Sequence, residues 1–181
     1  LHSLFRTLSQ LADSEWLFID GSIVRAHQHS TGAATAHDES IGKSRGGNST
    51  KIHVAVEIGG LPFYYELSCG QNHDVAYGES LVSNSPASET VVADKGYDSE
   101  KLRSFVRQRN ADVVIPRKSN SLTGNDDIDW CLYKYRHLVE NAFGRIKHYR
   151  GIATRYEKLE RNYYSMVALA FAMMWLPMWA D

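Results

Sequence analysis

Lys51-Ile52-His53-Val54-Ala55-Val56-Glu57-Ile58-Gly59-Gly60-Leu61-Pro62-Phe63-Tyr64-Tyr65-Glu66-Leu67-Ser68 is the stretch on which the fold turns. Ile52, Val54, Val56 and Ile58 fall at every second position, with Lys51, His53, Ala55 and Glu57 between them. Side chains of an extended chain point alternately to opposite faces, so Lys51 to Ile58 is a strand with one apolar face. Gly59-Gly60 supplies the backbone freedom of a tight hairpin turn, and Leu61 to Ser68 is the returning strand.

Upstream, Trp16-Leu17-Phe18-Ile19-Asp20 is almost wholly apolar and ends in an acid followed by Gly21. That is the composition of a strand buried on both faces, with Ser22 to His27 available to extend it. Ser3 to Leu11 places Leu4, Leu8 and Leu11 on one side of a short helix. His29 to Asn48 is poor in apolar residues and rich in Gly, Ala, Ser and Thr, which predicts a mobile loop. Downstream, Asp74 caps a helix to about Ser83, and Thr90 to Asp94 is a second short apolar strand ending in an acid. Ser99 caps a helix to about Asn110. Asp112 to Ile115 is a strand stopped by Pro116, and 116–127 is a polar loop. Long helices are expected from Asp127 to Tyr149 and from Asn162 to Leu176. Three antiparallel strands followed by two crossover strands make an α/β chain with a mixed five-stranded sheet flanked by helices.

The bulk numbers agree with one domain over residues 1–181. The hydrophobic fraction of 43% suits a packed core and excludes a disordered chain. Cys69 and Cys131 have no zinc-ligand spacing, nor do they form one with His27, His29 and His37, so a reduced, cytoplasmic protein is expected. The most apolar stretch, Met166 to Ala180, is shorter than the ~20 residues of a membrane span and is broken by Pro177. The net charge of −1 conceals a basic segment. From Tyr133 to Arg161, Lys134, Arg136, Arg145, Lys147, Arg150, Arg155, Lys158 and Arg161 face only Glu140, Glu157 and Glu160. Such a segment suits a polyanion, though a solvated helix face has the same composition.

Chemistry concentrates at three acids. Asp20 and Asp94 each close a strand, and the carboxyl ends of neighbouring parallel strands form the usual crevice of an open α/β sheet. Two buried acids there repel unless a cation lies between them. Taken alone, each Asp next to a Gly is also what a turn looks like. Tyr133, Arg136, Glu140 and Lys147, spaced by three, four and seven, share one helix face, apart from the apolar stripe of Leu132, Leu138, Val139, Phe143 and Ile146. Spacing alone also allows an exposed face laced by Arg136–Glu140 pairing. Lys43, Arg45 and Lys51, around Gly46-Gly47, are a second phosphate-binding candidate or a plain flexible loop. Trp16 and Trp130 read as core.

Tyr133, Arg136, Glu140 and Lys147 match the Tyr-x2-Arg-x3-Glu-x6-Lys signature, and the chain resembles the bacterial insertion-sequence DDE transposases. His137-Leu138-Val139-Glu140-Asn141-Ala142-Phe143, Asp20-Gly21-Ser22, Arg45-Gly46-Gly47 to Lys51-Ile52-His53, Gly70-Gln71-Asn72-His73-Asp74 and Ala93-Asp94-Lys95-Gly96-Tyr97-Asp98 are similar to that family's motifs, in its order. The resemblance implies a ribonuclease H-like fold, whose element order is the one read above. It implies that Asp20, Asp94 and Glu140 are the catalytic triad and bind two Mg²⁺ ions, with Mn²⁺ as a substitute. It implies hydrolysis of a phosphodiester at an element's end, then attack of the freed 3′-OH on target DNA, with Tyr133, Arg136 and Lys147 holding the DNA. The implied partners are double-stranded DNA, as terminal inverted repeats and target, and a second copy in a homodimer. Relatives carry a helical DNA-binding segment before the first catalytic Asp, whereas only Leu1 to Ile19 precede Asp20 here. An upstream N-terminal polypeptide is therefore a further expected partner. Two other readings stay open: a ribonuclease H-like nuclease or resolvase that cuts without joining, and a non-catalytic DNA-binding remnant of a split transposase. For Asp74 the simplest reading is a helix cap, and His73 has no assigned role.

Overall fold

The computed structural model describes residues 1–10, 15–32 and 39–176. Leu11, His37 and Pro177 of the expectations above lie outside them. The strands are β1 (Trp16–Ala26), β2 (Gly42–Ser44), β3 (Gly47–Val56), β4 (Pro62–Cys69), β5 (Thr90–Ala93), β6 (Asp112–Val114) and β7 (Thr154–Arg155). They form one mixed sheet, whose body runs β4-β3-β1-β5-β6. β3 is antiparallel to both β1 and β4, while β5 and β6 run parallel to β1. This is the ribonuclease H-like arrangement expected from the sequence.

Among the described residues the sheet has seven strands rather than five. The additions, β2 on β3 and β7 on β1, are three and two residues long, too short for any periodicity to register. β2 also interrupts the stretch expected as loop. β1 takes up the extension that Ser22 to His27 made available and runs past Asp20. It continues to Ala26 because Ser22 to Arg25 keep pairing with Ile52 to Ser49 of β3. Asp20 therefore lies inside a long strand, one residue past the point where parallel pairing with β5 ends, Ile19 against Ala93.

The helices are α1 (His2–Ser9), α2 (Val75–Ser83), α3 (Glu100–Gln108), α4 (Trp130–Tyr133), α5 (His137–Lys147), α6 (Arg150–Ala153) and α7 (Glu160–Trp175). The single helix expected over 127–149 is α4 and α5 joined by a 3₁₀ turn, Lys134–Arg136. The backbone stays right-handed through it, with Arg136 at φ −53° and ψ −25°, so the turn tightens without breaking direction. Asp129 begins the run by accepting the Leu132 N–H at 2.9 Å. Val139, Ala142, Phe143 and Ile146 of α5 are buried, so the apolar stripe faces the core and the Arg136–Glu140–Lys147 edge is left to meet β1.

One buried cation braces the far end of β1. The Arg155 side chain is wholly enclosed, donates to Thr50 Oγ1 at 2.9 Å and to the Glu157 carbonyl at 3.0 Å, and lies 5.1 Å from the Tyr163 ring centre. It ties β7, β3 and α7 together. Among the described residues, no helix is long and apolar enough to cross a membrane.

Candidate active site

The pairing of Ile19 with Ala93 puts Asp20 and Asp94 side by side, each the next residue of its chain. Asp20 Oδ1 accepts the N–H of Gly21 at 2.7 Å. Asp94 caps the 3₁₀ turn Lys95–Tyr97, accepting the Gly96 N–H at 2.7 Å. Burial pushes the Asp20 carboxyl up to about 6, and the charge of Asp94 pushes the same way. The Gly21 N–H and the Arg136 guanidinium pull against them. Net desolvation wins: this carboxylate is ionised at a cost.

α5 closes the site from one side of the sheet. Arg136 reaches Asp20 Oδ2 at 3.2 Å with one guanidinium nitrogen and binds Glu140 Oε1 with the other. Lys147 Nζ donates to Ser22 Oγ at 2.6 Å and to the Ile23 carbonyl at 3.3 Å. The polar helix stripe is thus not a solvated face, because it runs along β1 from Asp20 to Ile23. Glu140 keeps half its side-chain surface exposed, at 52%. Among the described residues, no three His, Cys, Asp or Glu side chains are gathered tightly enough to hold a metal ion. A guanidinium stands between Asp20 and Glu140 and supplies the positive charge there.

Tyr133 is packed partly into the core, with its ring edge-on to Trp130 at 5.5 Å. Trp130 is itself half exposed, not core as expected, and Trp16 packs against the core 5.7 Å from the Tyr135 ring. The three cations of the second phosphate candidate are separated. Lys43 and Arg45 lie on the exposed β2–β3 hairpin. Lys51 is buried in β3, and its ammonium donates to the Asn72 carbonyl at 2.7 Å and pairs with Asp74 at 3.1 Å.

That last contact belongs to a network the sequence reading missed. Asp74 does not cap α2 with its side chain. Its carboxylate sits over Gly21, where a β-carbon would fall 2.3 Å from Asp74 Oδ1. His53, the cross-strand partner of Gly21, presents Nδ1 at 3.6 Å from the same oxygen. His53 Nε2 lies 2.8 Å from Ser68 Oγ, and its ring stacks on Tyr77 at 4.0 Å. Burial lowers the His53 imidazole to about 4, against the opposing pull of Asp74. The buried Tyr97 hydroxyl is raised well above its ordinary value, first by burial and then by the charges of Asp20, Asp74 and Asp94. The motifs Lys51-Ile52-His53 and Gln71-Asn72-His73-Asp74 were the available signal, and His73 itself is exposed.

Comparison with known proteins gives concordant matches. A family model described as "Transposase DDE domain" matches residues 12–175. The proposed transposase for insertion sequence element IS6501 of Brucella ovis is 35% identical over 128 residues, which are 71% of this chain and 98% of that protein. The proposed transposase for insertion sequence element IS402 of Burkholderia cepacia is 27% identical, over 60% of this chain and 54% of that one. Among solved structures, a piggyBac transposase synaptic complex with hairpin DNA aligns with a TM-score of 0.43 at 15% identity, over 61% of this chain and 24% of its own. A Mos1 transposase paired-end complex with a left transposon end aligns with a TM-score of 0.37 at 13% identity, over 93% and 62%. The chain thus spans nearly all of the first relative, about half of the second, and under two thirds of either solved chain.

Proposed function

Since the chain belongs to the DDE transposase family, as the family model spanning residues 12–175 establishes, we propose that residues 1–181 are one catalytic domain that cuts and joins DNA with Asp20, Asp94 and Glu140. The observation that carries this reading is the approach of three acids from two neighbouring strands and one helix. Two acids lie side by side at the end of a parallel strand pair, and a third reaches the first through a shared cation.

The donor chemistry of the three acids suits divalent metal, and the Arg136 guanidinium now stands where a cation would draw Asp20 and Glu140 together. The donors are carboxylate oxygens, the ligands preferred by Mg²⁺ and Mn²⁺. Asp20 is desolvated beside Asp94 and already draws a positive group, Arg136, to itself and Glu140. Asp20, Asp94 and Glu140 would hold two Mg²⁺ ions, or Mn²⁺ in their place, which would supply activation of the attacking oxygen and charge neutralisation at the leaving one. The chain's own residues do the rest. Asp20 is held by the Gly21 N–H and keeps its second oxygen toward α5. Arg136 and Lys147 set two positive charges along β1, where a phosphodiester backbone would lie. Tyr133 stands one turn before Arg136, able to stack or donate to the DNA. Lys43 and Arg45 extend contact from the exposed hairpin, while Lys51 acts inward. In the reaction, water cleaves the phosphodiester at the element's end and releases a 3′-OH. That hydroxyl then attacks a target phosphodiester, displacing a second 3′-OH and leaving element and target joined. Two copies acting on two terminal inverted repeats in the cytoplasm complete the reading.

The deciding experiment supplies a pre-cut terminal end bearing a 3′-OH, a target plasmid and Mg²⁺ to a complete transposase carrying this domain. Joined product is expected. Nicking of the target without joining would replace strand transfer by simple nuclease action. DNA bound but unchanged would reduce the domain to a binding remnant.

A further inference from the structure

We propose that Asp74 is a positioning residue for the Asp20 carboxylate, fixing the strand beneath it and contributing negative charge to the cation site; this rests on the reading of Asp20 as a metal ligand. Side chains alternate between the two faces of β1. Asp20 and Ser22 project toward α5, where Arg136 and Lys147 meet them. Gly21, between them, exposes its backbone on the other face. Only there, without a β-carbon, does a carboxylate oxygen fit against the strand. Gly21 is also the residue whose N–H holds Asp20 Oδ1. Asp74 therefore presses on the peptide that orients Asp20 and leaves Oδ2 directed at the cation.

Asp74 is itself held from several directions. Lys51 pairs with it at 3.1 Å and is pinned by the Asn72 carbonyl at 2.7 Å. His53 faces it at 3.6 Å, locked by Ser68 and by stacking on Tyr77, whose hydroxyl accepts from Asn72 Nδ2 at 2.8 Å. His53 is fully buried, and its Nδ1 has no hydrogen-bond partner among the described residues, so Asp74 is the group it is aimed at. A helix cap needs none of this. A carboxylate held by a buried ammonium and an imidazole against one glycine has a fixed place and charge, and both act on the neighbouring Asp20.

The test is Mn²⁺ binding to the full chain, followed by electron paramagnetic resonance, with melting temperature recorded alongside. Asp74→Asn keeps size and shape, removes the charge and leaves the Lys51 ammonium uncompensated. Mn²⁺ affinity is expected to fall about tenfold, and adding Lys51→Met to Asp74→Asn is expected to recover most of the loss. Gly21→Ala, which drives a methyl group into Asp74, is expected to weaken Mn²⁺ in the same direction, and to have a much smaller effect once Asp74 is Ala, when the remaining close neighbour is His53 Nδ1 at 3.1 Å. This second pair decides the matter if Asp74→Asn fails to fold. Wild-type Mn²⁺ affinity in Asp74→Asn with only a lowered melting temperature would make Asp74 a structural residue and overturn the proposal. Failure of the unaltered chain to bind Mn²⁺, or unchanged binding in Asp20→Asn, would overturn the metal-site reading as well, so the two failures are distinguishable.

Discussion

Glu140→Gln is expected to slow end cleavage and joining by roughly a thousandfold or more in Mg²⁺, with the fold intact, and Asp20→Asn and Asp94→Asn are expected to do the same. The three predictions differ in what accompanies the loss. Glu140 is half exposed, and its partner among the described residues is Arg136, an i,i+4 ion pair worth little to stability, so its amide should melt close to the unaltered chain. Asp20 is different. Its carboxyl is raised to about 6 because the folded chain desolvates it beside Asp94. An amide in its place removes an ionisation the fold resists; its one oxygen still accepts the Gly21 N–H, while its NH2, a donor, gives up the Arg136 contact. Asp20→Asn should therefore be inactive yet more stable at neutral pH. That combination excludes unfolding as the cause and marks the residue as kept for chemistry at the expense of stability. Full activity in any one of the three would remove that acid from the site.

The second large effect is on stability against pH. Asp20 has a folded value of about 6, above the ~3.9 of an unfolded Asp. Between pH 4 and 6 the folded state binds the extra proton, so this group's contribution is present at low pH and is lost as pH rises through 6. His53 works the other way. Its folded value of about 4 lies below the ~6.5 of an unfolded His, so its contribution is present above pH 6.5 and is lost as pH falls toward 4. The two slopes oppose each other across the same window. The unaltered chain without metal should thus show a shallow profile from pH 4.5 to 7. Asp20→Asn should expose the His53 slope and gain on the order of 2 kcal/mol relative to the unaltered chain over that range. Urea midpoints at the two pH values measure it, and parallel profiles for the two proteins would contradict it.

Much of this was legible in the residues because its causes are local. Alternation from Lys51 to Ile58 and Gly59-Gly60 specify a hairpin, and β3 and β4 follow. The separate apolar and polar stripes of 130–147 specify which edge of α5 meets β1, and a 3₁₀ turn within it leaves that assignment unchanged. The misses had distant causes. β2 and β7 are ladders of two or three residues, visible only once their neighbours are in place. Asp74 stands before a helix, where an acid looks like a cap, but its partners Lys51, His53 and Gly21 lie on two other strands. Lys51 reads as a phosphate-binding candidate or part of a plain flexible loop for the same reason: a lysine's charge is plain in a sequence, and the carboxylate that claims it is not.

The central claim is that Asp20, Asp94 and Glu140 together hold divalent metal. Anomalous diffraction from crystals of this chain soaked in Mn²⁺ tests it most directly. Manganese peaks bounded by carboxylate oxygens of all three residues are the expected result. Peaks elsewhere, or carboxyl groups too far apart for one pair of ions to bridge, would contradict it.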